Sequence, residues 1–417
     1  MAELFRLGLV LALLVVLLRK KVDMGIVMML ASLAMALLFR MRLADVLGAV
    51  LAGTFSPGTL DLVIALILIA LLEHILRANR LLNGMMRALK ALAGDSRVVM
   101  ALLPAIVGLL PSAGGALFSA PLVEEVGGGQ VEPERKTFIN YWYRHVWEYT
   151  FPLYPGLMLA AEILRVPIAR LMLSQLPLTI AAVILGIPVS FRGLKNSLQR
   201  APGKAKDEGG ALATRPAPAI LRQMAIGLFP ILAVVTLVLA TGLNVSLAVG
   251  LVVIAMLAAF RYSPGRAWSA LREATSWGMV AMVLGVMVFK ETLAASGVVQ
   301  LLPGSLQELG VSLEVLVVSL SFLIGLLTGF SPGFIGATFP LIAAAGVGTA
   351  RGPDLGLVRL AYAAGFAGVM LSPVHLCLVV TLRYFRSEPA RLYRLLYLPE
   401  TGMVLVALGA YILGHRR

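Results

Sequence analysis

Apolar residues in this chain come in long blocks rather than in alternation. Ten blocks stand out, near 5–19, 23–40, 60–80, 135–164, 170–191, 222–242, 244–260, 278–297, 355–385 and 393–414. A helix that crosses a bilayer needs about 20 such residues, ~17 at the short end. Each block therefore reads as a span, the first only marginally. The blocks 135–164 and 355–385 are longer and are interrupted by Pro152/Pro155 and by Pro373. Proline has no N–H and clashes with the preceding turn, so both read as broken helices.

Two more apolar stretches carry a polar or flexible centre. One is Val98–Val126, with Pro111-Ser112-Ala113-Gly114-Gly115; the other is Val311–Ala345, with Gly329-Phe330-Ser331-Pro332-Gly333. Each half holds only about 10–14 residues, too few to cross. Both read as re-entrant helical hairpins, a form tolerated at membrane depth where backbone is buried in protein or lines a cavity. Between the third block and the first hairpin, Leu81–Leu92 sets Arg87 and Lys90 among Leu and Met, the pattern of an interfacial helix over 81–97. Phe55-Ser56-Pro57-Gly58 resembles the second hairpin centre but has no return arm, and reads as a loop.

Composition supports a lipid environment. Of 417 residues, 59% are hydrophobic and 13% charged, against about 25% charged in a soluble domain. The formal net charge of +14 fits the Lys/Arg excess of cytoplasmic loops. No basic stripe interleaved with aromatics suggests nucleic acid. The single cysteine, Cys377, excludes internal disulfides and any Cys-rich metal site. The Leu7–Leu18 run meets Arg19-Lys20-Lys21 with no small-residue cleavage site, so it reads as a retained span. The polar stretch 192–218 carries six Lys or Arg residues and is expected in the cytoplasm. Counting spans outward from it puts both termini outside.

The two halves match at nearly constant spacing. Glu73/His74 align with Lys290/Glu291 at an offset of 217. The hairpin centres share a Ser-x-Gly-x4-[Ser/Thr]-x-Pro pattern at an offset of 219, through Ser112, Gly114, Ser119 and Pro121 in one half and Ser331, Gly333, Thr338 and Pro340 in the other. The breaks Pro152 and Pro373 differ by 221. Each half then has five spans and one hairpin. An odd number of crossings inverts the second copy, the plan of secondary transporters with a midplane site.

The expected organisation is therefore an all-α polytopic membrane protein made of two inverted repeats. Repeat 1 covers 1–191, with scaffold helices 1–80, the interfacial helix 81–97, hairpin 98–126, broken helix 135–164 and helix 170–191. A linker 192–218 leads to repeat 2, 219–417, with scaffold helices 222–297, hairpin 311–345, broken helix 355–385 and helix 393–414.

Helix N-termini present free N–H groups and a positive dipole end. Four should converge at mid-membrane, from Ala116 or Ile335 in the hairpins and from Pro155 or Pro373 at the breaks. The expected substrate residues are Ser112, Gly114, Gly115, Ser119, Arg144, Ser331, Gly333, Thr338, Ser372 and His375. Hydroxyls and free carbonyls near Ser112 and Ser331 also suit Na⁺. Charges inside a membrane are functional candidates. Arg144 is the expected anion anchor, with His145 and Glu148 as proton or ion carriers; an Arg144–Glu148 structural pair at i,i+4 is the competing reading.

The strings LLPSAGGALFSAP (109–121), NYWYRHVWEYTFPLYPG (140–156), FKETLAASG (289–297) and SPVHLCLVVT (372–381) resemble the DUF401 family of prokaryotic integral membrane proteins. The resemblance implies membership of the ion transporter superfamily, with gluconate, citrate, dicarboxylate and arsenite permeases. It further implies an inner-membrane homodimer in which the hairpin and last two spans of each repeat move as an elevator against a scaffold. Dicarboxylate members place Asn in hairpin Ser-Asn-Thr motifs, and neither centre here has one.

The expected function is cation-coupled transport of a small organic anion of the carboxylate class, driven by Na⁺ or H⁺. The expectation is of no enzyme activity and no cofactor besides a possible Na⁺. The alternatives are a cation/proton exchanger or channel on the same fold and, last, an intramembrane hydrolase using Ser331 and His375. No phosphate-binding G-x-x-x-x-G-K-[ST] loop is present for ATP drive.

Overall fold

The computed structural model describes residues 2–92, 95–111, 115–194, 217–298, 310–345 and 352–415. Its regular elements are all helical, and no strand occurs among the described residues. Five segments are long and apolar enough to cross a membrane: Leu43–Ala78, Ile168–Phe191, Pro218–Thr241, Trp277–Ala295 and Pro389–His415. Leucine, isoleucine, phenylalanine and tryptophan side chains on their outer faces, such as Phe229 and Trp277, are exposed in the isolated chain. Such a surface is stable against lipid rather than water.

The first half runs α1 (Ala2–Arg19), α2 (Met24–Leu38), α3 (Leu43–Phe55), α4 (Pro57–Ala78), α5 (Leu81–Leu92), α6 (Ser96–Val107), α7 (Gly115–Gly127), α8 (Pro133–His145), α9 (Pro155–Leu164) and α10 (Ile168–Phe191). The second runs α11 (Ala217–Thr241), α12 (Val245–Ala259), α13 (Pro264–Ala274), α14 (Trp277–Ala295), α15 (Leu313–Thr328), α16 (Ser331–Ala345), α17 (Leu355–Met370), α18 (Leu376–Phe385) and α19 (Pro389–His415).

Helix ends recur at fixed separation. Lys21, Arg40 and Arg165 have left-handed backbone, as do Gly242, Arg261 and Arg386, each 221 positions later. Capping residues recur at similar, not identical, separations. Asp23 and Asn244 precede α2 and α12, Ser56 and Ser276 cap α4 and α14, and Asp95 and Ser312 cap α6 and α15. Helix packing is reciprocal: α4 lies against α12 and α13, while α14 lies against α2 and α3.

Several expectations change. Phe55–Gly58 is no loop: Ser56 alone separates α3 from α4, and its Oγ accepts from Thr59 N at 3.4 Å while Pro57 opens the helix. The helices α3 and α13 add elements between the expected spans. Leu81–Leu92 forms its helix but packs on α11, and its Met86 and Leu89 share an apolar cluster with Val99 and Leu103. Each expected hairpin stretch holds two helices that pack on each other, α6 and α7 over 98–126 and α15 and α16 over 311–345. Of the linker 192–218, positions 195–216 lie outside the described residues.

Candidate functional site

Both broken helices end near their expected prolines. α8 stops at His145, and nine residues of turns lead to α9 at Pro155. α17 stops at Met370, and five residues lead to α18 at Leu376. Free backbone groups inside a membrane must find partners. Aromatic and hydroxyl side chains around the first break supply many of them. Tyr362 Oη donates to Glu148 O at 2.7 Å, Thr179 Oγ1 to Val146 O at 3.1 Å and Tyr141 Oη to Met370 O at 3.0 Å. Trp147 and Tyr154 anchor the break to the first hairpin by donating to Ala105 O and Gly108 O. The backbone is irregular over 146–154, and Tyr362 and Thr179 partner two of its carbonyls.

The breaks and hairpins interlock. α7 packs on α18, and α16 packs on α9. Gly329, at the second hairpin turn, has φ 60°, and a Cβ there would lie 2.8 Å from His375 N. Only glycine allows that turn to seat against the second break.

Between them lies a cavity of about 290 Å³, lined by Arg144, His145, Glu148, Tyr154, Pro155, Ser331, His375, Leu376 and Cys377, with Pro111, Gly329, Phe330 and Met279 among the rest. Three helices begin on its wall: α9 at Pro155, α16 at Ser331 and α18 at Leu376. A fourth start is adjacent, since the Arg144 guanidinium lies directly over the Cα of Gly115, the first residue of α7. α16 and α18 thus begin at Ser331 and Leu376 rather than at Ile335 and Pro373. Arg144 is 3% exposed. Ser331 Oγ donates to Glu148 Oε2 at 3.1 Å, and Glu148 Oε1 stands 3.8 Å from His145 Nε2. Because α8 ends at His145, Glu148 lies in the turn and faces Ser331 and His145.

Arg144, His145, Glu148, Ser331 and His375 meet at this cavity, and Gly115 supports Arg144 there. Other expected residues do not line it. Ser119 Oγ donates back to Gly115 O at 3.4 Å within α7. Thr338 Oγ1 donates to Phe334 O at 2.8 Å and pairs with Ser321 Oγ at 2.9 Å inside the second hairpin. In an apolar helix a hydroxyl satisfies itself on the carbonyl four residues back. Gly333 packs on Thr328, and Ser372 Oγ accepts from Val374 N within the second break at 3.4 Å. Ser112 and Gly114 lie outside the described residues. Glu73 pairs with Arg77 at 2.5 Å and Lys290 with Glu291 at 3.3 Å, away from the cavity wall.

Among the cavity residues not expected as site residues from sequence are Tyr154, Met279 and Cys377. Position alone hinted at Cys377, which falls in the first turn of the helix after the second break. Next to the site, Glu400 of α19 is 2% exposed and shares a small void with His145. Neither of its carboxyl oxygens has a hydrogen-bond partner among the described residues.

The chain's similarity to known proteins bears on this geometry. The family model described as "Protein of unknown function (DUF401)" matches residues 2–414, nearly the whole chain. The chain belongs to the DUF401 family. The match includes both breaks and both hairpins, so the cavity is built from family sequence throughout. No curated protein matches the chain.

Proposed function

We propose that this member of the DUF401 family is an inner-membrane secondary transporter of a small organic anion, coupled to H⁺ or Na⁺. The observation that carries this reading is the cavity itself: Arg144 and three helix starts, at Pro155, Ser331 and Leu376, face one shared space. A buried guanidinium and several helix N-termini favour negative charge. An anion of carboxylate size fits about 290 Å³.

The reading includes two inverted copies of one unit, with α6–α7 and α15–α16 as re-entrant hairpins. Support comes from the matched helix ends 221 residues apart and from the exchange of partners, α7 with α18 and α16 with α9. Alternating access then moves the hairpins and breaks as an elevator against α1–α4 and α11–α14. Met279 of α14 lines the cavity, so the site borders the proposed scaffold. A homodimer held through that scaffold completes the proposal.

Glu148 and His145 are the proposed coupling pair, because they touch and both reach the cavity. The same pair supports cation/proton exchange as the second reading. Hydrolysis has less support, since the Ser331 hydroxyl donates to Glu148 rather than to His375.

The test is uptake of radiolabelled mono- and dicarboxylates into proteoliposomes under imposed H⁺ or Na⁺ gradients. Gradient-driven uptake that disappears in Arg144→Ala, with the variant still monodisperse, is the expected result. Cation flux without any anion dependence favours the exchanger. No flux of either kind contradicts both.

A further inference from the structure

The last residue of α8, the residue capping α18 and the first turn of α18 bring three metal-binding side chains to one point. His145, His375 and Cys377 are all buried, and one nitrogen of each imidazole and Cys377 Sγ all lie within 4.8 Å of one another. The rings meet edge to face at a centroid distance of 4.9 Å.

Their orientation is fixed from behind. Nδ1 of His145 lies 2.6 Å from Tyr141 O, and Nδ1 of His375 lies 3.3 Å from Val369 O. A carbonyl can only accept, so each Nδ1 carries the hydrogen and each Nε2 keeps its lone pair. Metal-binding imidazoles are held in this way, by a carbonyl on the far nitrogen. Glu148 Oε1, 3.8 Å from His145 Nε2, offers an oxygen donor. All four residues line the cavity, so an ion can reach them from the same space.

We infer that His145, His375 and Cys377, with Glu148 as fourth donor, form a binding site for a divalent transition-metal cation of the Zn²⁺ class.

The donor set decides the class. Two imidazole nitrogens, one sulfur and one carboxylate oxygen suit a borderline-soft ion in tetrahedral geometry. Mg²⁺, Ca²⁺ and Na⁺ prefer all-oxygen shells. Bonds of about 2.0–2.3 Å to a tetrahedral ion bring its donors to roughly 3.3–3.8 Å apart. The 4.8 Å spread is the unligated spacing, and binding closes it by about 1 Å. On binding, a sulfur–metal bond forms, the Cys377 thiol proton leaves to water, and no oxidation state changes. The dication then balances the thiolate and the Glu148 carboxylate. The site rests on donor geometry alone and does not require the transport reading.

The test uses full-length, untagged protein in detergent, stripped with EDTA and titrated with Co²⁺ in buffer free of carboxylates. One equivalent of Co²⁺ should bring intense visible bands of tetrahedral cobalt and a near-ultraviolet thiolate-to-cobalt band. One equivalent of Zn²⁺ should bleach both. Cys377→Ser should lose the near-ultraviolet band and keep visible bands, and His375→Gln should weaken Co²⁺ binding by about tenfold or more. The absence of both bands in the wild-type protein overturns the inference, with no variant required to fold. Bands unchanged in both variants overturn it too. Uptake measured on the same preparation separates the two readings: cobalt bands without anion uptake sink transport alone, and uptake without cobalt bands sinks the metal site alone.

Discussion

Ser331 Oγ donates to Glu148 Oε2 at 3.1 Å, joining the tip of the second hairpin to the first helix break across 183 residues of chain. Hairpin and break therefore move together or the bond parts. Removing the hydroxyl costs one hydrogen bond to a carboxylate, about 1.5–3 kcal/mol. Ser331→Ala should slow anion uptake by roughly tenfold or more and leave the fold intact. Glu148→Gln keeps a side chain that can bond Ser331 but cannot carry a proton, so it should abolish gradient-driven uptake. Initial rates in proteoliposomes check both, and wild-type rates in either variant would remove that residue from the mechanism.

The second hairpin turn depends on Gly329. Its φ of 60° strains any L-residue, and a Cβ would lie 2.8 Å from His375 N. Left-handed backbone costs about 1–2 kcal/mol, and the close approach adds to that. Gly242 has φ 68° with nothing among the described residues within 4 Å of its Cβ position, so Gly242→Ala pays only the conformational term. Thermal unfolding should rank wild type above Gly242→Ala, and Gly242→Ala above Gly329→Ala. Equal melting temperatures for the two variants would mean that the turn does not seat on the second break.

The irregular backbone of the first break needs its side-chain donors. Tyr362→Phe strips the partner from Glu148 O and leaves a buried carbonyl unsatisfied, at a cost of about 1–3 kcal/mol. Tyr411→Phe removes a bond to Glu314 nearer the surface and should cost less. Melting of the two variants in the same detergent checks the order, and the reverse order contradicts it.

How far the sequence revealed this site depends on the kind of signal. Prolines and glycines mark both breaks and both hairpins, because they remove donors or permit turns that other residues forbid. Arg144, His145 and Glu148 stood out because charge is rare in apolar blocks. α3 was hidden, since Leu43–Phe55 is short for a span and one capping serine separates it from α4. Ser119 and Thr338 share a spacing pattern with the hairpin tips, yet spacing does not reveal that their hydroxyls turn back onto their own helices. Cys377 and His145 are 232 positions apart, and only the packing of α18 on α8 brings them together.

Glu400 makes a separate case. A buried carboxyl with neither oxygen partnered among the described residues is costly in an apolar setting. Glu400→Leu should therefore raise the melting temperature, by about 1–3 kcal/mol of stability. A lower melting temperature would mean that the carboxyl has a stabilising partner in the folded protein.

The proposed transport requires a positively charged cavity between the two broken helices that water can reach. Cys377 is the only cysteine in the chain and lines that cavity, so the native protein carries its own probe. The direct measurement is the rate at which Cys377, in sealed membrane vesicles stripped of metal with EDTA, reacts with membrane-impermeant methanethiosulfonate reagents of opposite charge. Labelling of the folded protein, with the anionic reagent favoured over the cationic one relative to a free thiol in solution, is the predicted result. A thiol inert to both reagents until the protein is denatured would mean that no such cavity opens to water.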